Sequence, residues 1–415
     1  MEKTDDLKTK LISEEGVAVV REAFNNISNL HIPKLFGVCI HHGFNSENYD
    51  FALMLRYWNV TVKPQVLYNC WEGHDQGIGR FKDVSHAEVI GMDFGWRPND
   101  GARSITSRLL SVASIIHSWP RMLNIAKLYK PDLIYSSQQT WDNFSAWYLS
   151  RRLSVPQIIH LHYMPGLGGS WIGKYAERRL KSCDHVVAVS EYIRNGVIDY
   201  GVDPGRVTVI WNTRSIPSPP DVGVREMIRS ELGIPVNAVV VGIVARLEPW
   251  KGQDDTIDAY ARIAARFPSL YLVIVGGGDY QRELKRKADV SGYSDRIVFT
   301  GYRKDVSNIL FALDIFSHPS RMEAFGIAVL EASAHGLPVV AYDEGGIREI
   351  VVNGETGMLT TPGDIASLSS ALARLVCDPS LRRDMGECGR ERVKNEFDPE
   401  DASIKFAHFL SKYYG

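Results

Sequence analysis

The stretch AVVVGIVARLEPWKGQDDTIDAYARIAARFPSLYLVIVG, Ala238 to Gly276, decides the fold. It opens on an apolar, β-branched run, passes a polar turn, continues with apolar residues at helical spacing, and closes on a second apolar run that ends in glycine. Two buried strands joined by an amphipathic helix write this pattern, and the strand–helix–strand unit belongs to a parallel sheet. Downstream the alternation goes on through a helix QRELKRKADVSG, then RIVFTG, ILFALDIFSHP, a helix FGIAVLEASAHG, PVVAY and a helical tail. Upstream it runs through KLFGVCI (Lys34 to Ile40), VTVKPQVLY, a helix SRLLSVASIIHSWPRMLNIAKLY, DLIYSS, a helix NFSAWYLSRRL, PQIIHLH and HVVAVS.

Between these halves, WNTRSIPSPPDV (Trp211 to Val222) carries three prolines and few apolar residues, which suits an extended connector. The expected organisation is a polar extension over residues 1–30, an α/β domain over 31–215 and a second over 216–415. The amphipathic last helix is expected to pack back. A chain of 415 residues exceeds what one hydrophobic core usually serves. Ligands of such sheets sit at the carboxyl ends of the strands.

Composition excludes several classes. The chain is 45% hydrophobic and 23% charged with a net charge of -2, so no global charge favours nucleic acid. The cluster Lys174, Arg178, Arg179, Lys181 suits either a solvated helix face or an anionic surface. Five scattered cysteines without a C-x-x-C pair indicate neither a disulfide framework nor a zinc site. The polar, acidic start is unlike a secretory signal, and no run approaches the roughly 20 apolar residues of a membrane span. The expectation is a cytoplasmic protein whose membrane contact is at most peripheral.

Chemistry concentrates in SRMEAFGIAVLEA, Ser320 to Ala332. Residues eight apart on one helix would point in different directions, so Glu323 and Glu331 serve one ligand only if the helix starts near Phe325 or Gly326. Glu323 then lies on the preceding loop, and Glu331 reaches a more distant part of a long ligand. The amides of Phe325, Gly326 and Ile327 suit a phosphate. An acidic residue ahead of an ordinary helix, with Glu331 salt-bridged on its flank, would give the same pattern.

After the strand ending at Ala245, Arg246 and Lys251 stand where strand-end loops put functional groups, and together they suit an oxyanion. A surface pair flanking Glu248 is the alternative. Gly276, Gly277 and Gly278 mark a tight strand exit rather than a phosphate loop. In the first half, His160 and His162 end an apolar strand and share a face, facing a cleft or held as structural histidines. There is no D-x-D metal–diphosphate motif, G-x-S-x-G elbow or H-E-x-x-H helix.

Taken together, Arg246 with Lys251 and Gly252, the Glu323/Glu331 pair enclosing Ala324, Phe325 and Gly326, TGY at Thr300 to Tyr302, GGIRE at Gly345 to Glu349 and NGETG at Asn353 to Gly357 resemble the retaining glycosyltransferase family four (group 1). The resemblance is strongest over the second half. It implies the GT-B fold, two Rossmann-like domains facing a central cleft, and a metal-independent enzyme needing no cofactor. The co-substrate would be a nucleotide-diphosphate sugar, with uridine expected ahead of guanosine, and the acceptor a glycan, lipid-linked sugar or small molecule.

By the same resemblance, Arg246 and Lys251 stabilise the leaving diphosphate, Glu331 holds the ribose and Glu323 contacts the sugar. Phe325, Gly326 and Ile327 hold sugar and phosphate through their backbone, Arg303 contacts the base, and His162 stands at the sugar. Two stretches depart from the family. Only Gly43 remains of the usual Gly-Gly loop, and WNTRS (Trp211 to Ser215) replaces the usual Pro-Asn-Gly-x-Asp. The acceptor is expected at DFGWR (Asp93 to Arg97) and PGLGGSW (Pro165 to Trp171), where Trp96 or Trp171 would stack on a sugar. A sugar-nucleotide-binding protein without transfer, and a same-fold epimerase or phosphorylase, are the competing expectations.

Overall fold

The computed structural model describes residues 33–39, 46–56, 63–69, 76–92, 105–137, 140–166 and 178–414. Two parallel sheets form. The first holds β1 (Leu35–Cys39), β2 (Gln65–Asn69), β3 (Glu88–Met92), β4 (Leu133–Ser137), β5 (Gln157–Leu161), β6 (His185–Ala188) and β7 (Val207–Val209), in the order β3-β2-β1-β4-β5-β6-β7. The second holds β8 (Val239–Val244), β9 (Leu270–Val275), β10 (Ile297–Gly301), β11 (Ile315–His318), β12 (Val339–Tyr342) and β13 (Gly357–Thr360), in the order β10-β9-β8-β11-β12-β13. Two α/β sheets of Rossmann type were expected, and two are present.

The chain divides into two compact units: Met1–His160 with Ser182–His185 and Glu400–Gly415, and Leu161–Lys181 with Val186–Pro399. In the first unit, Phe36, Val38, Leu67 and Ile134 of the sheet are sealed by Met122, Ala126, Ala146 and Leu149 from the helices Ile105–Tyr129 and Thr140–Leu153. The last helix joins this unit: Ser403 Oγ donates to Met54 O at 2.7 Å, and the Phe406 ring meets Tyr135 edge-on at 5.5 Å. In the second unit, Val241, Ile243, Leu272 and Ile274 pack under Tyr260 of the helix Gln253–Ala264 and Leu368 and Leu372 of Ile365–Cys377.

The apolar run ILFALDIFSHP is divided, with a helix Val306–Ala312 ending before the strand β11. Asp314 makes the division. Its carboxylate takes Arg225 at 2.5 Å and the buried Arg229 at 2.8 Å, and accepts from the amide of Val240 at 2.7 Å, pinning the start of β11 beside β8. A largely covered carboxylate is tolerated here because two guanidinium groups and an amide are bonded to its two oxygens.

In the second sheet the strand order reverses between β8 and β11. Connections leaving the two strands therefore diverge and open a crevice at their carboxyl ends. The glycines after β9 make room on one side of it: a Cβ on Gly276 would lie 1.9 Å from the Ala245 carbonyl oxygen, and one on Gly278 2.3 Å from that of Leu247. What approaches the glycine backbone is the neighbouring β8 exit, with Leu247 N donating to Gly277 O at 3.0 Å. Among the described residues no helix is long and apolar enough to cross a membrane.

Candidate active site

Two loops meet at the strand-order reversal. One leaves β8 and carries Arg246 and Lys251; the other leaves β11 and carries Glu323. Lys251 Nζ lies 2.8 Å from Glu323 Oε2, and His318 Nε2, from the last residue of β11, lies 3.0 Å from the same oxygen. The carboxylate can only accept, so Nε2 carries the hydrogen. Burial alone would raise the Glu323 carboxyl. The His318 hydrogen bond and the Lys251 charge outweigh it and hold the group at about 2. Its side chain is 14% exposed, and the Lys251 and His318 donors converge on Oε2, leaving Oε1 for a ligand.

The loop itself is fixed from several sides. Gly346 N donates to Glu323 O at 3.1 Å, Ser190 Oγ donates to Ala324 O at 2.7 Å, and the buried Phe325 ring packs edge-on against Phe397 at 6.0 Å. Gly345 sits at φ +58°, and a Cβ there would lie 1.9 Å from Glu323 O, so only glycine lets the two backbones touch. Gly326 then precedes the helix Ile327–Ala334, whose first turn no side chain caps. The expected start near Phe325 or Gly326 is met to within two residues, and Glu323 stands ahead of the helix as required.

A second set of residues ties the Lys251 turn to the Glu323 loop. Arg321 NH1 donates to Pro249 O at 2.6 Å, its NH2 reaches Asp255 at 2.6 Å and Asp254 at 3.1 Å, and its amide donates to Trp250 O at 2.8 Å. Tyr342 OH from β12 closes the network on Asp255 Oδ2 at 2.8 Å. The fully buried Gln253 donates to Arg246 O at 2.8 Å, fixing that backbone while the Arg246 side chain stays 73% exposed, 3.7 Å from Glu248. Arg246 and Lys251 thus share one turn, but only Lys251 is engaged with Glu323.

The other expected residues are placed as follows. Glu331 is 34% exposed and its Oε1 accepts from Arg214 Nε at 3.0 Å. Arg303 follows β10 and is paired with Glu231 and, at 2.7 Å, with Asp305. His162 lies just past β5, 8% exposed, and burial pushes its imidazole down to about 3. His160 is a structural histidine, its Nδ1 2.6 Å from Tyr135 OH. Gly43, Trp96, Lys174 and Trp171 lie outside the described residues. Glu349 of GGIRE acts as a cap: its carboxylate accepts from the amides of Glu191 and Tyr192 at 2.9 and 3.0 Å, and from Trp211 Nε1 at 2.9 Å.

Residues 224–392 match the family "Glycosyl transferases group 1", and residues 96–213 match "Glycosyltransferase Family 4". A GDP-mannose-dependent alpha-(1-6)-phosphatidylinositol monomannoside mannosyltransferase of Mycolicibacterium smegmatis is 32% identical over 287 residues, covering 63% of this chain and 72% of that one. The D-inositol 3-phosphate glycosyltransferase of Corynebacterium efficiens is 35% identical, over 64% of this chain and 67% of its own. The chain belongs to glycosyltransferase family four. In fold it is similar to the Anabaena Alr3699/HepE protein solved with UDP and glucose, with a TM-score of 0.76 and 24% identity over 92% of this chain and 100% of that one.

For this family-four glycosyltransferase, the residues that local reading did not find are His318, Arg214, Arg321 and the capping role of Glu349. A histidine closing an apolar strand five residues ahead of Glu323 was the one signal in reach. The others act on partners far away in sequence. Among the described residues, no three His, Cys, Asp or Glu side chains gather as metal ligands.

Proposed function

We propose that the chain moves a hexosyl group from a nucleoside-diphosphate sugar to an acceptor hydroxyl, with retention of anomeric configuration and without a metal. The observation that carries this reading is the Glu323 carboxylate, held ionised through Oε2 by Lys251 and His318, immediately ahead of a helix start that no side chain caps. An ionised oxygen accepts sugar hydroxyls, and free helix-start amides take a phosphate. Arg246, exposed and lightly paired, supplies a second positive group for the departing diphosphate, each charged hydrogen bond contributing about 1.5–3 kcal/mol.

In this reading the bond from the anomeric carbon to the diphosphate oxygen breaks while the acceptor oxygen bonds to the same face. The acceptor proton passes to the leaving phosphate oxygen. The protein supplies orientation and positive charge and needs no strong base of its own. Glu331 takes the ribose, Arg303 and the adjoining Tyr302 stand toward the base, and His162, neutral because buried, offers a hydrogen bond to the sugar. Residues 216–415 hold the donor and residues 31–215 the acceptor, a glycan, lipid-linked sugar or small molecule. The reaction is cytoplasmic, with at most peripheral membrane contact.

One relative is named for GDP-mannose and one fold neighbour was solved with UDP-glucose, so both donors enter the test. A thermal-shift panel of UDP, GDP, UDP-glucose and GDP-mannose should raise the melting temperature with one base, a ligand at a hundred times its Kd adding about 2.7 kcal/mol. Glu323→Ala should keep the nucleotide shift and lose the increment due to the sugar. A panel without any shift ends the proposal, as does a sugar increment that survives the substitution.

A further inference from the structure

The segment that departs from the family, WNTRS, delivers its arginine to the donor side. Arg214 is 6% exposed, its amide donates to Phe397 O at 3.1 Å, its NH1 donates to Thr213 O at 2.6 Å and its Nε donates to Glu331 Oε1 at 3.0 Å. A buried guanidinium bonded through two of its nitrogens, on a backbone that is itself tethered to Phe397, has little rotameric freedom. It therefore fixes the rotamer of the half-exposed Glu331, which on a helix surface would otherwise sample several. Arg214 Nε is the only donor to this carboxylate among the described residues, and it meets Oε1, so Oε2 is the oxygen left toward a ligand.

We propose that Arg214 is a positioning residue for ribose recognition: it holds Glu331 in one orientation, so that Oε2 meets a ribose hydroxyl without a search. This rests on the reading of Glu331 as the ribose-binding carboxylate. In this proposal Arg214 acts through Glu331 and is not itself a ligand of the donor. Its effect is confined to the hydroxyl that Glu331 reads, and it does not extend to diphosphate or base.

The test is binding of UDP, GDP and their 2′-deoxy and 3′-deoxy forms to the full chain by calorimetry. With wild type, removing one hydroxyl should weaken binding about tenfold or more, the value of one hydrogen bond to a charged acceptor. Glu331→Ala should erase that penalty. Arg214→Met should reduce it to about threefold or less while changing affinity for the deoxy nucleotide itself by less than about twofold, and Arg214→Lys should recover part of it. A full penalty in Arg214→Met, or equal losses for ribo and deoxy forms, overturns the proposal. If Arg214→Met fails to fold, Arg214→Lys decides by the same comparison, an intermediate penalty supporting the proposal and an unchanged one refuting it. A penalty that survives Glu331→Ala, or none in wild type, instead refutes the reading of Glu331.

Discussion

Replacing Lys251 by Met removes the charge and one of the two donors on Glu323 Oε2 and leaves a carboxylate only 14% exposed with His318 alone. The gap between the ordinary carboxyl value of 4.5 and the folded value of about 2, at roughly 1.4 kcal/mol per pH unit, makes the ionised Glu323 a contribution of about 3 kcal/mol. Because the folded value is depressed, that contribution is complete above 4.5 and is lost as pH falls toward about 2. Lys251→Met should therefore cost about 2–3 kcal/mol at pH 7, lowering the urea midpoint by about 1 M for a slope of 2–3 kcal/mol per molar. At pH 3, where the unfolded chain is already protonated, the difference should shrink to about 1.4 kcal/mol or less. Urea titrations followed by far-UV circular dichroism at both pH values read this directly. An equal midpoint shift at pH 7 and pH 3 would refute the account of Glu323 as an ionised group stabilised by Lys251.

Gly345→Ala puts a Cβ 1.9 Å from Glu323 O in a backbone of positive φ, so the Glu323 loop must move; we expect a lower melting temperature and at least a tenfold loss of donor turnover, measured by release of UDP or GDP. Arg321→Ala unties the Pro249–Lys251 turn from the Ser320–Glu323 loop and should lower kcat about tenfold or more, with donor KM changed by less than about threefold, because Arg321 makes its contacts with protein and not with diphosphate. A steady-state series in which KM alone rises would show that Arg321 acts on binding.

The central strands were legible because they are buried on both faces. VVVGIV and LYLVIV read as continuous apolar runs, as strands covered by helices on either side must. β3 was missed because its exposed glutamate and glycine interrupt any such run, and β13 because GMLT is short and follows a turn. The division of ILFALDIFSHP could not be read locally, since Asp314 breaks it only by meeting Arg225 and Arg229 more than eighty residues upstream. At the site, Glu323 and Lys251 announced themselves as charged residues at strand exits. Arg214 looked like part of a connector, and its partner lies 117 residues later on a helix flank. Arg246 and Lys251 carry the same charge five residues apart, yet one points to solvent and the other to Glu323. That difference is set by β11, to which the spacing of the two cations makes no reference.

The Glu349 carboxylate closes the start of the helix Glu191–Asp199 across 158 residues of chain, while Ser190 supplies the local cap to Ile193. On a translating ribosome the two orders of arrival differ. Ser190 emerges with its helix, whereas the Glu191 and Tyr192 amides stay hydrated until residue 349 has cleared the exit tunnel. The second unit thus cannot mature vectorially from its amino end. Its early helix is only provisionally seated on the nascent polypeptide and is finished after most of the later sheet has been synthesised.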